Sequence, residues 1–313
     1  MAEHARALDV EALRSQFPAL SQLVHGQPLV YLDNAATVQK PACVLEELLR
    51  CYTESCANVN RGAHTLGERA TEGYERARST VQRFLHAASS EELVFTSGCT
   101  AAINLVAHGW GDRHVRQGDE VIVTGLEHHS NLLPWRELCR RRGARLRSVP
   151  IDEQGRLDLE AYARLLGPRT RLVAVAHVSN VLGTLTPLRE LAGLAHAAGA
   201  RILVDGAQAV ARTAVDVQAL DCDFYAFSGH KLYGPFGIGV CGDAASCWRA
   251  RSPCSRVGAW WRSCRRSARA TGPCLPGWRR AHRTSVGRSV WAAPSSGWSR
   301  SGWNASRRTS ASC

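Results

Sequence analysis

Between residues 89 and 240, short apolar runs alternate with segments of helical period, and few folds accommodate that rhythm. Residues 92–96, 120–124, 171–177, 201–204 and 224–227 read as strands, and 237–240 begins a further one. Residues 100–109, 132–142 and 188–198 read as helices, the last closed by Gly199. Strands separated by helices need crossover connections, which predicts an α/β fold with a mostly parallel sheet covered on both faces. Ligands of such sheets bind at the carboxyl ends of the strands. Residues just past each strand are therefore the first candidates for chemistry.

At 313 residues the chain can bury one sizeable core, or a large domain and a smaller one. The net charge of +12 points toward nucleic acid until its distribution is examined. Residues 1–240 carry 25 Lys and Arg against 26 Asp and Glu, so that part is balanced and no nucleic-acid partner is expected for it. Residues 1–10 contain charges and no apolar core, so no signal peptide is expected; no run of 18 apolar residues predicts a membrane span. Six cysteines lie scattered before residue 241 without a pattern, as expected for reduced thiols in a cytoplasmic protein.

The character changes near Cys241. Residues 241–313 hold 14 Arg, 14 Ser, seven of the nine Trp and six of the twelve Cys, with one acid, Asp243. They contain no Ile, Met, Phe, Tyr, Glu, Gln or Lys, and no helical or alternating period. Three readings compete: a basic nucleic-acid tail, a Cys-rich metal module, and translation out of frame. Cys241, Cys247, Cys254, Cys264, Cys274 and Cys313 form no C-x-x-C pair, so no metal is expected. Arg/Ser-rich tails do bind RNA, but interspersed Trp is foreign to them.

Four clusters past strands carry chemistry. Ser228-Gly229-His230-Lys231 follows an apolar strand and contains one of only two lysines, Lys40 being the other. An amine at that place can form an imine with an aldehyde once deprotonated; a solvated surface lysine is the plain alternative. Asp205-Gly206-Ala207-Gln208 follows 201–204. Its carboxylate can pair with the pyridinium nitrogen of pyridoxal phosphate (PLP), and it can equally cap a helix. Thr96-Ser97-Gly98-Cys99-Thr100 joins a strand to a helix N-terminus and suits a phosphate, with Ser228 and His230 as further contacts. Glu127-His128-His129-Ser130-Asn131 offers an imidazole that can stack on a flat ring or move protons. Asn180, past 171–177, can donate to a ring hydroxyl or simply satisfy its own loop.

Taken together with two earlier stretches, Tyr31-Leu32-Asp33-Asn34-Ala35-Ala36-Thr37 and Asn60-Arg61-Gly62-Ala63-His64-Thr65-Leu66, these clusters resemble the cysteine desulfurases of the SufS/CsdA group. The stretches Val204-Asp205-Gly206-Ala207-Gln208 and Ser228-Gly229-His230-Lys231-Leu232-Tyr233-Gly234-Pro235 carry it furthest, and it runs from about residue 8 to Val240. That group belongs to the class V aminotransferases, fold-type I PLP enzymes. The resemblance implies a PLP-binding large domain over 31–240, with residues 1–30 contributing to a smaller domain that is incomplete. It implies that Lys231 holds pyridoxal 5'-phosphate as a Schiff base and shuttles protons. Asp205 would meet the pyridine nitrogen, His128 the ring face, Asn180 and Gln208 the ring hydroxyl, and Thr100, Ser228 and His230 the phosphate. Asn34, Ala35 and Ala36 would line the substrate side. Ala101 stands where the family often has an acid.

The implied reaction turns L-cysteine into L-alanine and an enzyme persulfide. The sulfur would pass to a Suf-type acceptor protein for iron–sulfur cluster assembly, in a homodimeric enzyme. Other readings are a selenocysteine lyase or another class V PLP lyase, and an inactive product. The family also needs a nucleophilic cysteine and a substrate-binding arginine beyond residue 240, and nothing around Cys264 or Cys274 matches their setting. Back-translating Gly277 to Gly287 with suitable codons and reading from the third base yields Leu-Glu-Ala-Gly-Thr-Pro-Asn-Val-Gly, which contains a family-like motif. Residues 294–313 treated likewise yield an amphipathic helix. The expectation is a single frameshift near Cys241, a disordered tail over 241–313, and an impaired desulfurase.

Overall fold

The N-terminal stretch folds into short pieces. Helix α1 (Val10–Arg14), capped by the Asp9 carboxylate on the Ala12 amide, leads to a two-strand hairpin of β1 (Leu23–Val24) and β2 (Gln27–Pro28). Two long helices follow, α2 (Ala42–Glu54) and α3 (Thr65–Phe84). From there strands and helices alternate: β3 (Leu93–Thr96), α4 (Cys99–Val106), α5 (Asp112–His114), β4 (Glu120–Thr124), α6 (Leu133–Arg142), β5 (Arg145–Val149), α7 (Leu159–Leu165), β6 (Thr170–Ala176), α8 (Leu188–Ala197), β7 (Arg201–Asp205), α9 (Val217–Leu220), β8 (Phe224–Ser228) and β9 (Gly239–Asp243). This computed structural model describes residues 9–60 and 63–243. The expectations for the tail from residue 244 onward, its disorder among them, lie outside the described residues, as do Arg61 and Gly62 of the quoted motif.

The apolar runs form one seven-stranded sheet in the order β3-β9-β8-β7-β6-β4-β5. Pairing is parallel from β5 through β4, β6 and β7 to β8, while β9 runs antiparallel between β8 and β3. Successive side chains alternate between the two faces. Val121, Val123, Leu172, Ala174, Leu203, Phe224 and Ala226 pack with Ile103 and Val106 of α4 and Trp135 and Leu138 of α6. Ile122, Val173, Val175, Ile202, Val204, Tyr225 and Phe227 pack with Leu191 and Ala195 of α8, Tyr162 of α7 and Leu85. Burial on both faces is why these strands read as continuous apolar runs. Each fully buried Val, Leu, Ile or Phe side chain among them contributes roughly 1.5–3 kcal/mol by leaving water.

The structure departs from the sequence expectations at three places. The helix expected over 100–109 ends at Val106 and passes into a π-helical turn, Ala107–Gly111. Strand β5 and helices α7 and α9 lie outside the expected elements. β5 is the sheet edge, and of Arg-Leu-Arg-Ser-Val only Val149 is buried, so it lacks an apolar run. The last strand begins at Gly239 rather than 237 and carries on through Asp243, so the sheet crosses the position where the composition changes. Among the described residues, no helix is long and apolar enough to cross a membrane.

The topology gathers one set of loops. β3, β4, β6, β7 and β8 end on the same side of the sheet, and Gly239, the first residue of antiparallel β9, pairs there with Thr96 and Ser228. The residues singled out past the strands therefore share one edge.

Candidate functional site

Asp205 is the last residue of β7 and is 6% exposed. Its Oδ1 accepts the Ala207 amide at 2.9 Å and the Cys99 thiol at 3.2 Å. Among the described residues, Oδ2 has no donor. Cys99 opens α4, and its amide donates to Ser228 Oγ at the end of β8, at 2.7 Å. One residue thus ties the β3–α4 turn to the ends of both β7 and β8. Burial pushes the Cys99 thiol well above its ordinary pKa; the Asp205 carboxylate adds to this and Lys231 opposes it. The thiol therefore stays protonated and serves as a donor. Lys231, just past the end of β8, makes no hydrogen bond or ion pair with the described residues.

Two glycines let these ends approach. A Cβ on Gly206 would stand 2.2 Å from ring atoms of Tyr225, whose hydroxyl is hydrogen-bonded to His177 at 3.0 Å. A Cβ on Gly239 would stand 2.5 Å from the Gly98 backbone. The tyrosine ring thus lies directly beneath the turn that follows Asp205, with both Tyr225 and His177 buried.

Lys231 closes a 3-10 turn, Gly229–Lys231, held by the Gly229 amide on Ile238. The carbonyl of His230 accepts from the Val38 amide, Thr37 Oγ1 and Lys40 Nζ. The His230 ring bonds Thr37 through Nδ1 at 3.1 Å and stacks on Phe236. Burial, and then Lys231 and Lys40, lower its pKa, which leaves a neutral imidazole at pH 7. Sequence reasoning assigned no role to Lys40. It braces the Lys231 turn from a segment some 190 residues away, and no local pattern announces that.

At the ends of β4 and β6, Glu127 accepts Thr124 Oγ1 at 2.7 Å and the Ala176 amide at 2.9 Å on one oxygen, and Asn131 Nδ2 at 2.5 Å on the other. Asn131 in turn accepts Trp135 Nε1 at 3.0 Å. Burial pushes the Glu127 carboxyl up to about 7, against the pull of these donors. The neighbouring His128 is exposed, its Nδ1 tied to Ser130 at 2.7 Å, so the ring is oriented while its faces stay open. Glu127 entered the sequence reading only as part of a motif; its cross-link to β6 requires the fold.

Gln208 is buried and its Nε2 donates to the carbonyl of Ala35 at 2.7 Å. This bond brings the exposed Asn34-Ala35-Ala36 segment to the end of β7. Asn180 lies half-buried in the loop beyond β6. Thr100, exposed, stands in the first turn of α4 beside Ser228. The expected residues thus share one edge of the sheet, and Cys99, Glu127, His177, Tyr225 and Lys40 join them.

Residues 30–246 match the family model described as aminotransferase class V. The chain belongs to that family. This class V chain is 52% identical over 236 residues to a cysteine desulfurase of Synechococcus elongatus, covering 75% of this chain and 38% of the relative. It is 54% identical over 231 residues to a cysteine desulfurase of Salmonella typhimurium, covering 74% and 57%. Among solved structures, the cysteine desulfurase CsdA of Escherichia coli aligns with a TM-score of 0.70 at 41% identity, over 78% of this chain and 60% of that one. The apo cysteine desulfurase of Thermococcus onnurineus aligns at 0.70 and 39%, over 75% and 56%. The chain thus spans between about two fifths and three fifths of the length of these relatives.

Class V aminotransferases use pyridoxal phosphate, and the donor set here fits it. A buried carboxylate keeps one oxygen spare, a lysine amine stands unpaired nearby, an imidazole offers an open face, and hydroxyls flank a helix N-terminus. Those are the partners of a protonated ring nitrogen, an aldehyde, a flat ring and a phosphate.

Proposed function

We propose that residues 31–240 are the PLP-binding large domain of a cysteine desulfurase of the SufS/CsdA group, with residues 1–30 belonging to a smaller domain. One observation carries the reading: the buried Asp205 carboxylate, with Oδ2 spare, ends β7, and the turn that carries Lys231 follows the adjacent strand β8. Bound there, pyridoxal phosphate supplies an electron sink that stabilises negative charge at the substrate Cα. Asp205 holds a proton at the ring nitrogen through Oδ2. Lys231 anchors the cofactor and, once released, carries the proton to and from Cα at Nζ. His128 covers the ring and exchanges protons with the substrate. Thr100, Ser228 and His230 hold the phosphate, aided by the α4 N-terminus. Asn180 and the Gln208 amide oxygen meet the ring hydroxyl, and Asn34, Ala35 and Ala36 face L-cysteine.

The substrate's sulfur would leave as an enzyme persulfide with L-alanine as co-product, bound for a Suf-type acceptor and iron–sulfur cluster assembly. The family resemblance supports a homodimer. Seven free cysteines among the described residues support a reducing cytoplasm. We further infer a frameshift near residue 241. The abrupt change to an Arg-, Ser- and Trp-rich composition supports it, and so does the end of the family match at residue 246. On this reading the persulfide cysteine and substrate arginine of the family are missing, and this chain is an impaired desulfurase that keeps the cofactor half of the site.

Two measurements test these readings. The purified full chain, incubated with PLP and reduced with borohydride, is expected to carry the cofactor mass on the Lys231 peptide and to lose it in Lys231→Ala. Labelling elsewhere, or none, overturns the cofactor assignment. Sequencing the DNA through codons 241–246 tests the frame; an uninterrupted frame there, or ordinary conversion of cysteine to alanine by this chain, overturns the frameshift.

A further inference from the structure

Cys99 makes two bonds that reach opposite ends of the proposed cofactor site. Its amide holds Ser228 Oγ on the phosphate side, and its thiol holds Asp205 Oδ1 on the ring-nitrogen side. Asp205 Oδ1 therefore has two donors, the thiol and the Ala207 amide, and the carboxylate cannot rotate without breaking one of them. The other oxygen, on a side chain more than nine-tenths buried, has no donor among the described residues. Oδ2 is not among the buried atoms left without a partner, so it stays open to a donor from solvent or from a ligand. Cys99 itself is 5% exposed and packs among Ile103, Leu203 and Ala226. Its sulfur is therefore fixed as a donor to this oxygen and screened from bulk reagents.

We propose that Cys99 is a positioning residue: its thiol clamps Asp205 Oδ1 so that Oδ2 is presented to the protonated ring nitrogen of the cofactor. The assignment rests on the PLP reading above. Cys99 touches no reacting atom; it acts through Asp205. A thiol is a weaker donor than a hydroxyl. The clamp therefore leaves more of the carboxylate's charge for the ring nitrogen than a serine or threonine at this position would.

The test is a double-mutant cycle on the full chain, with pyridoxal phosphate as the probe and its dissociation constant as the readout. Cys99→Ala is expected to weaken binding by about tenfold, equivalent to about 1.4 kcal/mol. Cys99→Ser, which keeps a donor, should stay within about threefold of the parent, in the range of a modest hydrogen-bond change. In an Asp205→Asn background, Cys99→Ala should have no further effect, because the clamp has lost its charged partner. The pH at which the bound cofactor's absorption changes should move in Cys99→Ala and Cys99→Ser in opposite directions. Equal losses from Cys99→Ala in both backgrounds indicate packing alone and overturn the proposal, as does an unchanged affinity in Cys99→Ala. If Cys99→Ala fails to fold, the Cys99→Ser spectral shift decides: no shift from the parent overturns the clamp. A parent chain that binds no pyridoxal phosphate defeats the cofactor reading itself, an outcome distinct from both.

Discussion

The ends of β7 and β8 and the segment from Leu23 to Ala36 meet at a single hydrogen bond, Gln208 to Ala35, yet they are built on opposite terms. The strand ends are held by register, by burial on both faces and by bonds between residues more than a hundred positions apart, such as Cys99 to Asp205 and Cys99 to Ser228. The N-terminal segment exposes its apolar side chains, with Leu32 at 86% and Val30 at 74%. The residues flanking it add a few more contacts, among them Phe17 on Tyr233, and Thr37 and Lys40 on His230. The proposed cofactor site thus belongs to the sheet, while the proposed substrate side hangs on a segment with little core of its own. A substitution's cost should follow that division.

The largest effect is expected in the sheet. Phe224 is fully buried between α4 and the Trp110 ring. Phe224→Ala should lower unfolding free energy by about 3–5 kcal/mol, from lost transfer energy and the cavity left behind. Urea unfolding measures this, and a loss below about 1 kcal/mol would show that the sheet core repacks freely. Gly206→Ala comes next. The added methyl collides with the Tyr225 ring, so either the ring leaves His177 or the turn after Asp205 shifts. A cost of about 1–3 kcal/mol is expected from such overpacking. Because the shift reaches Asp205, cofactor affinity should fall alongside thermal stability; a stable variant with parental affinity would detach the turn from the site.

Glu127 tests the comparison through pH. Burial raises its folded pKa to about 7, above the ordinary value near 4.3 in an unfolded chain. The folded state therefore binds more protons between those values. Its contribution to stability is fully present below about pH 4 and is lost as pH rises through 7. Measured against Glu127→Gln, the parent's unfolding free energy should decline across that window and run parallel above it. Parallel curves throughout would mean the carboxyl titrates as an ordinary surface acid. Since Glu127 bridges the ends of β4 and β6 beside His128, the same window should appear in cofactor affinity.

Much of this division was legible in the sequence, for a physical reason. Strands buried on both faces, such as 120–124 and 201–205, must be apolar throughout, so they announce themselves, and with them the places of Asp205 and Lys231 just past their ends. β5 escaped because an edge strand needs only one buried residue, and the bounds of β9 were missed because Gly-Val-Cys-Gly-Asp carries too few large side chains to mark where the strand starts and stops. The partners of the site residues escaped for another reason. Cys99 meets Asp205, and Lys40 meets His230, only after crossovers bring distant loops to one edge, and periodicity has no access to that register.

The smallest effects should lie in the N-terminal segment. Leu32→Ser removes a side chain that is already mostly in water, so unfolding free energy should change by no more than about 0.5 kcal/mol. Lys40→Met is intermediate and more informative. It deletes a half-buried ammonium that donates to Thr37 Oγ1 and the His230 carbonyl and lies over the Phe236 ring. The net loss should be about 0.5–1.5 kcal/mol, the usual worth of such hydrogen bonds. Its consequence differs in kind from that of Leu32, because the lost bonds hold the turn that ends in Lys231. Lys40→Met should therefore slow covalent capture of pyridoxal phosphate by Lys231 even where the melting temperature barely moves. Unchanged capture would place the whole brace on Thr37 and Val38, and would cut the N-terminal segment's influence on the cofactor side to backbone contacts alone.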